Sequence, residues 1–256
     1  MTDIEENLFS LSSETFLVTG ASSGLGVEVA RALSRQGASL VLTARRKERL
    51  EQLAKELPNA TYCACDLSRP EEIDNLWRFC DQEVGAITGL INNAGVAVVQ
   101  SALEESDDAY RSVVELNLVS VFAMARRFAR RLIDAELHGV VVNVASIFGL
   151  VGSGQVPLAS YASSKGGVVS LTRELALQWA KYGIRVNAVA PGWFLSEMTE
   201  GMFSDEGAQR WIAQRTPLAR PGRQGELDGA FIFLSSKASS YVTGQTLVVD
   251  GGWSIL

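Results

Sequence analysis

Ser146, Tyr161 and Lys165 could together move a proton at a carbonyl or alcohol oxygen. Tyr161 and Lys165 are four positions apart, a spacing that places both side chains on one face of a helix. An ammonium group beside a phenol favours the phenolate, which predicts a Tyr161 pKa below its usual value of about 10. Such a tyrosine can act as a general acid or base, and a serine hydroxyl can hydrogen-bond the same substrate oxygen. The Tyr-x-x-x-Lys spacing by itself also fits an ordinary surface helix.

A glycine-rich turn near the N-terminus adds a second kind of chemistry. The segment Thr19-Gly-Ala-Ser-Ser-Gly-Leu-Gly26 follows an apolar run at residues 16–18 and precedes a stretch with helical periodicity. A strand, a glycine turn and a helix form the usual site for a dinucleotide pyrophosphate, which binds at the helix N-terminus. The spacing departs from G-x-G-x-x-G, and the turn lacks the Gly-Lys-Ser/Thr ending of a triphosphate-binding loop, which disfavours ATP and GTP.

With both motifs present, the chain resembles the short-chain dehydrogenase/reductase superfamily from about residue 12 to the C-terminus. Further motifs fall in the order of that family: Asp66-Leu67, Asn92-Asn-Ala-Gly95, Asn117, Ser146, Tyr161 with Lys165, Pro191-Gly192 and Val249-Asp-Gly-Gly252. The resemblance implies hydride transfer between a nicotinamide cofactor and a carbonyl carbon, with no metal ion.

The resemblance also implies a role for each catalytic residue. Tyr161 would donate or accept the proton, Ser146 would orient the substrate carbonyl, and Lys165 would lower the Tyr161 pKa and bind the nicotinamide ribose. Asn117 would hold a water molecule of a proton relay. Without the resemblance, an asparagine inside an apolar helix predicts a buried amide with hydrogen-bond partners.

Cofactor contacts follow from the same resemblance. The expected contacts are Gly20, Ser22, Ser23, Gly24, Leu25 and Gly26 in the glycine turn, Asp66 and Leu67 at the adenine, Asn92, Ala94 and Gly95 at the ribose, and Pro191, Gly192, Phe194 and Ser196 at the nicotinamide carboxamide. Ser196 stands where the family more often has threonine, and it keeps the hydroxyl group.

The end of the second predicted strand favours NADP(H) over NAD(H). An NAD-specific site has an acidic residue there, about 20 residues beyond the glycine turn, but this chain has Ala44 followed by Arg45, Arg46 and Lys47. Cations at the start of a helix oppose its dipole, and a bound phosphate would offset that repulsion. The alternative is a solvated basic turn.

Composition limits the possible partners and location. The chain has 256 residues, 47% of them hydrophobic, and a net charge of −6, which argues against a nucleic-acid partner. Without a membrane-length apolar run or a signal-peptide pattern at the N-terminus, we expect a cytoplasmic protein. Cys63, Cys65 and Cys80 are expected to be reduced core residues, and His138 a turn residue.

Alternating apolar strands and helices predict an α/β fold: one Rossmann-like domain over residues 1–256. Its doubly wound parallel sheet would have about seven strands, near 15–19, 39–44, 60–65, 87–92, 139–145, 185–190 and 246–249, with helices on both faces. Long helices are expected at 106–136 and 159–182. Ser68 to Glu71 predicts a capping box, and the arginines at 126–131 a solvated or intersubunit face.

The aromatic-rich segment 193–221 breaks the alternation and predicts a mobile lid over the substrate, with a packed helical hairpin as the alternative. A mostly apolar wall is expected from Val96, Ala97, Phe148, Gln155, Val156, Leu158, Trp193 and Met198. Such a wall favours a medium-sized ketone over an open-chain sugar. A sugar or polyol dehydrogenase and a 3-oxoacyl-carrier-protein reductase are the alternatives.

Two further possibilities are a non-catalytic NADP(H)-binding regulator and a structural protein with a vestigial site, and the intact Asn117, Ser146, Tyr161 and Lys165 argue against both. The resemblance also implies a homotetramer, formed through the long helices and the C-terminal segment.

Overall fold

Seven short apolar segments form a single parallel sheet in the computed structural model, which describes residues 7–255. The strands are β1 (Thr15–Thr19), β2 (Ser39–Ala44), β3 (Ala60–Ala64), β4 (Gly89–Asn92), β5 (Gly139–Val144), β6 (Ile184–Pro191) and β7 (Thr246–Val249). Their order across the sheet is β3-β2-β1-β4-β5-β6-β7. The predicted doubly wound α/β fold is therefore confirmed.

Helices cover both faces of the sheet. The α-helices are α1 (Gly24–Arg35), α2 (Lys47–Glu56), α3 (Pro70–Glu83), α4 (Asp107–Val114), α5 (Ser120–Asp134), α6 (Ala159–Trp179), α7 (Glu200–Ser204), α8 (Glu206–Arg215) and α9 (Asp228–Ser235). A π-helical turn, Glu115–Val119, joins α4 to α5, and short 3₁₀ turns occupy Ile147–Gly149, Ala180–Tyr182, Lys237–Ser239 and Trp253–Ile255.

Side-chain alternation along β1 shows how the two cores are separated. Phe16 and Val18 point to one face, where Leu33 of α1 and Phe231 of α9 pack against them. Leu17 points to the opposite face and belongs to the core formed with α3, α5 and α6. All three strand residues are fully buried, as expected for a parallel sheet covered on both faces.

The start of α3 differs from the prediction. The helix begins at Pro70, so Ser68 is not its N-cap and the expected capping box does not form. Instead, Ser68 donates to the Asp66 carboxylate through its N–H and hydroxyl, while a Glu72 carboxylate oxygen accepts from the Asp66 N–H at 2.7 Å. With proline at the first helical position, the N-cap is Arg69, one residue later than predicted.

The arginines at 126–131 are used largely within the chain. Arg127 pairs with Asp74 and Arg131 with Asp81, joining α5 to α3. Arg130 pairs with Asp134 one turn along its own helix. The expectation of a solvated or intersubunit face is therefore wrong for Arg127 and Arg131, because α3 presents carboxylates to them, whereas Arg130 stays largely exposed.

The sheet order reverses direction between β1 and β4. In a parallel sheet, connections leave this point toward opposite faces and open a crevice at the carboxyl ends of the strands. The glycine turn follows β1, and Asn93, Ala94 and Gly95 follow β4. The fold thus brings two of the sequence motifs to one crevice.

Candidate active site

The glycine turn is held in shape by backbone contacts that only glycine permits. Gly20 has φ +67°, and a Cβ there would lie 2.8 Å from the Ala94 Cα. A Cβ on Gly26 would collide with the Gly20 carbonyl oxygen. Asn93 bridges the two chain segments by donating from its amide nitrogen to the Thr19 and Gly20 carbonyls at 3.0 and 3.3 Å. These contacts leave the N-terminus of α1 open toward the crevice.

A cavity of about 510 Å³ lies at this crevice. Most of the predicted site residues line it: Gly20, Ser22, Ser23, Gly24, Leu25, Arg45, Arg46, Asp66, Leu67, Ala94, Gly95, Ser146, Tyr161, Lys165, Pro191, Gly192, Phe194 and Ser196. Residues spread over some 180 positions of sequence therefore share one cavity.

Lys165 is buried at the base of the cavity. Its Nζ donates to the Val144 carbonyl at 2.7 Å and lies 5.6 Å from the centroid of the Tyr161 ring. Burial disfavours the ammonium form and lowers the pKa of Lys165 to about 8. The lysine is therefore held near its titration point at neutral pH.

Tyr161 differs from the expectation. Burial raises the pKa of its phenol above the usual value, and the hydrogen bond with Ser146 only partly opposes that rise. The predicted lowering by Lys165 is absent, since Lys165 directs its ammonium group to the Val144 carbonyl. The ligand-free site therefore keeps Tyr161 protonated, with Ser146 beside it. The Ser146 hydroxyl oxygen also accepts from the Phe148 N–H at 3.2 Å, which fixes its position.

Asn117 lies in the π-helical turn and is fully buried. Its amide oxygen accepts from the Val96 N–H at 2.9 Å, and its amide nitrogen donates to the Val96 carbonyl at 2.8 Å and the Ser164 hydroxyl at 3.1 Å. A Cβ on Gly95 would lie 3.2 Å from the Asn117 Oδ1 and 3.5 Å from the Lys165 Nζ. Gly95 thus leaves space between the asparagine and the lysine. π turns are frequent at functional sites.

Asn92 does not reach the cavity. Its side-chain amide donates to Asn143 at 2.9 Å, and Asn143 donates in turn to Thr172 at 3.0 Å, all within the core. The expected position of Asn92 beside a ribose stays a prediction, and its side chain packs in the core next to that of Asn143 on β5. Asn93 lines the cavity instead.

The basic turn after β2 packs against the glycine turn. Arg46 donates to the Ser22 hydroxyl oxygen at 3.2 Å and to the Ser23 hydroxyl oxygen at 2.6 Å. Ala44 and Arg45 also line the cavity, so no carboxylate stands at the end of β2. This corner suits an anion.

Comparison with known proteins agrees with this geometry. The family model described as Enoyl-(Acyl carrier protein) reductase matches residues 20–254. The chain is 36% identical to the 5-keto-D-gluconate 5-reductase of Escherichia coli K12, over 96% of this chain and 97% of that protein. It is 38% identical to the galactitol 2-dehydrogenase (L-tagatose-forming) of Cereibacter sphaeroides, over 97% and 98%.

The chain belongs to the short-chain dehydrogenase/reductase family. A solved relative shares its fold: the gluconate 5-dehydrogenase of Burkholderia cenocepacia J2315, in complex with NADP and tartrate, superposes with a TM-score of 0.92. It is 34% identical, and the match covers 97% of this chain and 98% of that one.

In this short-chain dehydrogenase/reductase, the predicted apolar wall is only partly at the cavity. Of the eight expected residues, Val96, Ala97 and Met198 line it. Phe148, Leu158 and Trp193 are instead buried in a separate cluster with Trp211 and Trp253, Val156 packs against that cluster, and Gln155 is exposed. The aromatic side chains that were predicted to contact the substrate therefore pack in this cluster and do not line the cavity.

The lining residues that the sequence analysis did not assign to the site include Asn93, Glu197 and Thr199. The Thr199 hydroxyl donates to the Phe194 carbonyl at 2.6 Å and accepts from the Ser196 N–H at 2.9 Å, closing a turn. Asn93 stands within the quoted Asn92–Gly95 motif, so the motif itself carried the signal. Glu197 and Thr199 follow Ser196 in a segment where no spacing rule applied.

The cysteines and histidine behave as expected. Cys65 and Cys80 are buried, and burial raises the pKa of each thiol to about 12. His138 is exposed in the turn before β5. Within residues 7–255, no group of histidine, cysteine and acidic side chains could hold a metal ion, and no helix is long and apolar enough to span a membrane.

Proposed function

We propose that the protein is an NADP(H)-dependent oxidoreductase that interconverts a ketone and a secondary alcohol. The observation that carries this proposal is that Ser146, Tyr161 and Lys165 line the same cavity as the glycine turn. That arrangement supports catalysis over the alternatives of a regulator or a structural protein.

The residues fit the cofactor that the family implies. Gly20 and Gly26 allow close backbone approach, and their contacts leave no room for a larger residue. Bound NADP(H) would supply or accept the hydride. Tyr161, kept protonated by burial, would donate the proton to a carbonyl oxygen, and Ser146 would orient that oxygen.

The preference for NADP(H) is supported by the corner around Arg46. Hydroxyl groups of Ser22 and Ser23 and the Arg46 guanidinium are hydrogen-bond donors suited to a phosphate. Ala44 places no carboxylate at the end of β2. The solved Burkholderia relative holds NADP.

For the substrate, we propose a small polyhydroxylated ketone or the corresponding polyol or sugar acid. The names of the full-length relatives support this class. The hydroxyl of Ser146 at the cavity supports it further. A medium-sized apolar ketone is the second candidate, favoured by Val96, Ala97 and Met198 in the same wall.

A carrier-protein-bound substrate is less well supported. Related reductases tend to have arginines where this chain has Leu137 and Tyr182. Arg185 lies nearby, but it donates to the carbonyls of Leu234, Ser236 and Val242 and to the Ser239 hydroxyl. Because these contacts fix Arg185 within the fold, it is poorly placed to bind an acidic carrier surface.

We also propose that residues 193–221 form the lid and that the protein is a homotetramer working in the cytoplasm. Tyr110, Val119 and Phe122, on α4, the π turn and α5, are each about 40% exposed, and Ile255 near the C-terminus is 81% exposed. Such exposed apolar side chains support subunit contacts at both places.

A panel of sugar acids, polyols and apolar ketones, assayed in both directions by nicotinamide absorbance, tests the proposal. We expect turnover of a polyol or sugar acid, with a higher kcat/KM for NADP(H) than for NAD(H). Arg46→Ala and Arg45→Ala should each reduce that ratio. A ratio that favours NAD(H), or one that both variants leave unchanged, would refute the cofactor assignment, and absence of turnover across the panel would refute the enzyme assignment.

A further inference from the structure

We propose that Glu197 is an internal counter-ion of the 2′-phosphate subsite, and that a 2′-phosphate must displace its carboxylate to bind. This inference rests on the proposed NADP(H) specificity and adds a residue that opposes it. No sequence motif pointed to Glu197.

The Glu197 carboxylate lies where several donors converge. Arg46 Nη1 contacts both of its oxygens, at 3.1 and 2.9 Å, and Arg49 donates to the first of them. Hydrogen bonds from Arg49, Arg46 and Ser23 hold the pKa of Glu197 at about 2. The carboxylate is therefore ionised at any working pH.

These donors include those that the phosphate would use. Ser23 and Arg46 are at once partners of Glu197 and members of the proposed phosphate corner. Carboxylate and phosphate oxygens both accept charge-assisted hydrogen bonds from arginine, so the Glu197 carboxylate uses the donors that a phosphate would use. Because two anions on one guanidinium repel each other, phosphate and carboxylate compete for Arg46.

The position of Glu197 in the chain would allow a phosphate to replace its carboxylate at Arg46. It lies near the start of the 193–221 segment, before α7, and its side chain is 46% exposed. The neighbouring Ser196 Cβ would lie 3.0 Å from a Cβ on Gly24, so this part of the segment rests on the glycine turn. An exposed side chain can turn away into solvent without disturbing the core.

Calorimetric titration with 2′-AMP and 5′-AMP tests the exchange, because the two probes differ only in where the phosphate is attached. We expect Glu197→Gln to bind 2′-AMP about fivefold more tightly than the unaltered protein, the factor that loss of an exposed ion pair would give. Affinity for 5′-AMP should not change. NADPH and NADH, titrated by fluorescence, should show the same contrast.

Two further variants separate a local effect from a change in net charge. Glu200→Gln removes one negative charge three residues away on the exposed start of α7, and it should leave both affinities unchanged. Glu197→Asp keeps the charge on a shorter side chain that reaches Arg49 less well, and it should give a smaller gain than the glutamine. Thermal melts of each variant confirm that the fold is retained.

The outcomes distinguish this inference from the proposed function. If the unaltered protein prefers NADPH and 2′-AMP, but Glu197→Gln leaves the 2′-AMP affinity unchanged or lowers it, the counter-ion role is refuted while the cofactor assignment stands. A fivefold gain in Glu200→Gln as well would also refute it. If the unaltered protein shows no preference for 2′-phosphates and Arg46→Ala leaves the 2′-AMP affinity unchanged, both the counter-ion role and the NADP(H) assignment are refuted.

Discussion

Burial of Lys165 should destabilise the ligand-free fold, and Lys165→Met should relieve that cost. Methionine has a similar length and no charge, so it fills the same space. We expect the variant to be more stable than the unaltered protein at pH 7 and inactive. Both results are expected from one side chain, buried at 4% exposure, whose charge would serve the proposed reaction and opposes folding.

The magnitude follows from the pKa of Lys165, which burial lowers from 10.5 to about 8. At about 1.4 kcal/mol per pKa unit, the folded state is disfavoured by roughly 3 kcal/mol at pH 7. Methionine loses the hydrogen bond to the Val144 carbonyl, which removes about 1 kcal/mol of that gain. The free energy of unfolding should therefore rise by about 2 kcal/mol, or Tm by roughly 4–8 °C for a chain of this size.

The sign of the pH dependence makes the reasoning testable. Below pH 8 the lysine is protonated in both states, so the full penalty is present. Between pH 8 and 10.5 the unfolded chain binds more protons than the folded one, so the unaltered protein gains stability as pH rises. The advantage of Lys165→Met should shrink over that window.

Urea denaturation of the cofactor-free protein at pH 7, 8 and 9.5 measures this difference. Lys181→Met, at an exposed lysine, is the control and should show no such dependence. A Lys165→Met protein that is less stable at pH 7, or a stability difference that is constant with pH, would show that Lys165 is not held in a destabilised charged state.

Three further predictions concern the site and the assembly. Tyr161→Phe should reduce kcat by at least about a hundredfold while cofactor affinity, measured by fluorescence, is unchanged; retention of a tenth of the rate would contradict the general-acid role. Asn117→Ala leaves the Val96 N–H and carbonyl unpaired in the core and should lower the free energy of unfolding by about 3 kcal/mol in urea, so a smaller loss than 1 kcal/mol would argue against those bonds. Light scattering should give a tetramer at micromolar concentration and a smaller species for Phe122→Glu, whereas a monomer mass for the unaltered protein would refute the assembly.

Strand positions could be predicted because a strand that is buried on both faces has a nearly continuous run of apolar residues. Runs such as residues 16–18 and 140–142 are apolar without alternation, a pattern typical of strands buried on both faces. The sequence could also indicate that Ser146, Tyr161 and Lys165 belong to one site, which the shared cavity supports, because the proposed chemistry demands fixed residue types at fixed spacing. Both kinds of signal are local in the chain.

Features that depend on what lies opposite in space could not be predicted in this way. The carboxylates of α3 that pair with Arg127 and Arg131 belong to a different helix, about 50 positions away. The raised Tyr161 pKa depends on burial by several elements, which outweighs the nearby lysine that sequence spacing emphasised. The π-helical turn that holds Asn117 interrupts a run of helical periodicity without a sequence signal of its own, and the partner of Asn117, Val96, lies 21 positions earlier in the chain.

Glu197 is a further residue whose spatial neighbours could not be predicted from sequence, and it lies at the proposed 2′-phosphate subsite. In sequence, the absence of an acid at Ala44 indicates NADP(H), and it leaves Arg46 without a carboxylate partner. In space, an acid some 150 positions later supplies that partner. A cluster of arginines is stabilised by any anion that pairs with it. A nearby carboxylate that forms such an ion pair therefore weakens phosphate binding, because the ion pair must be broken before the phosphate can bind. We therefore expect the preference for NADP(H) to depend on the charges around Arg46, which lie in the turn after β2, on α2 and in the 193–221 segment.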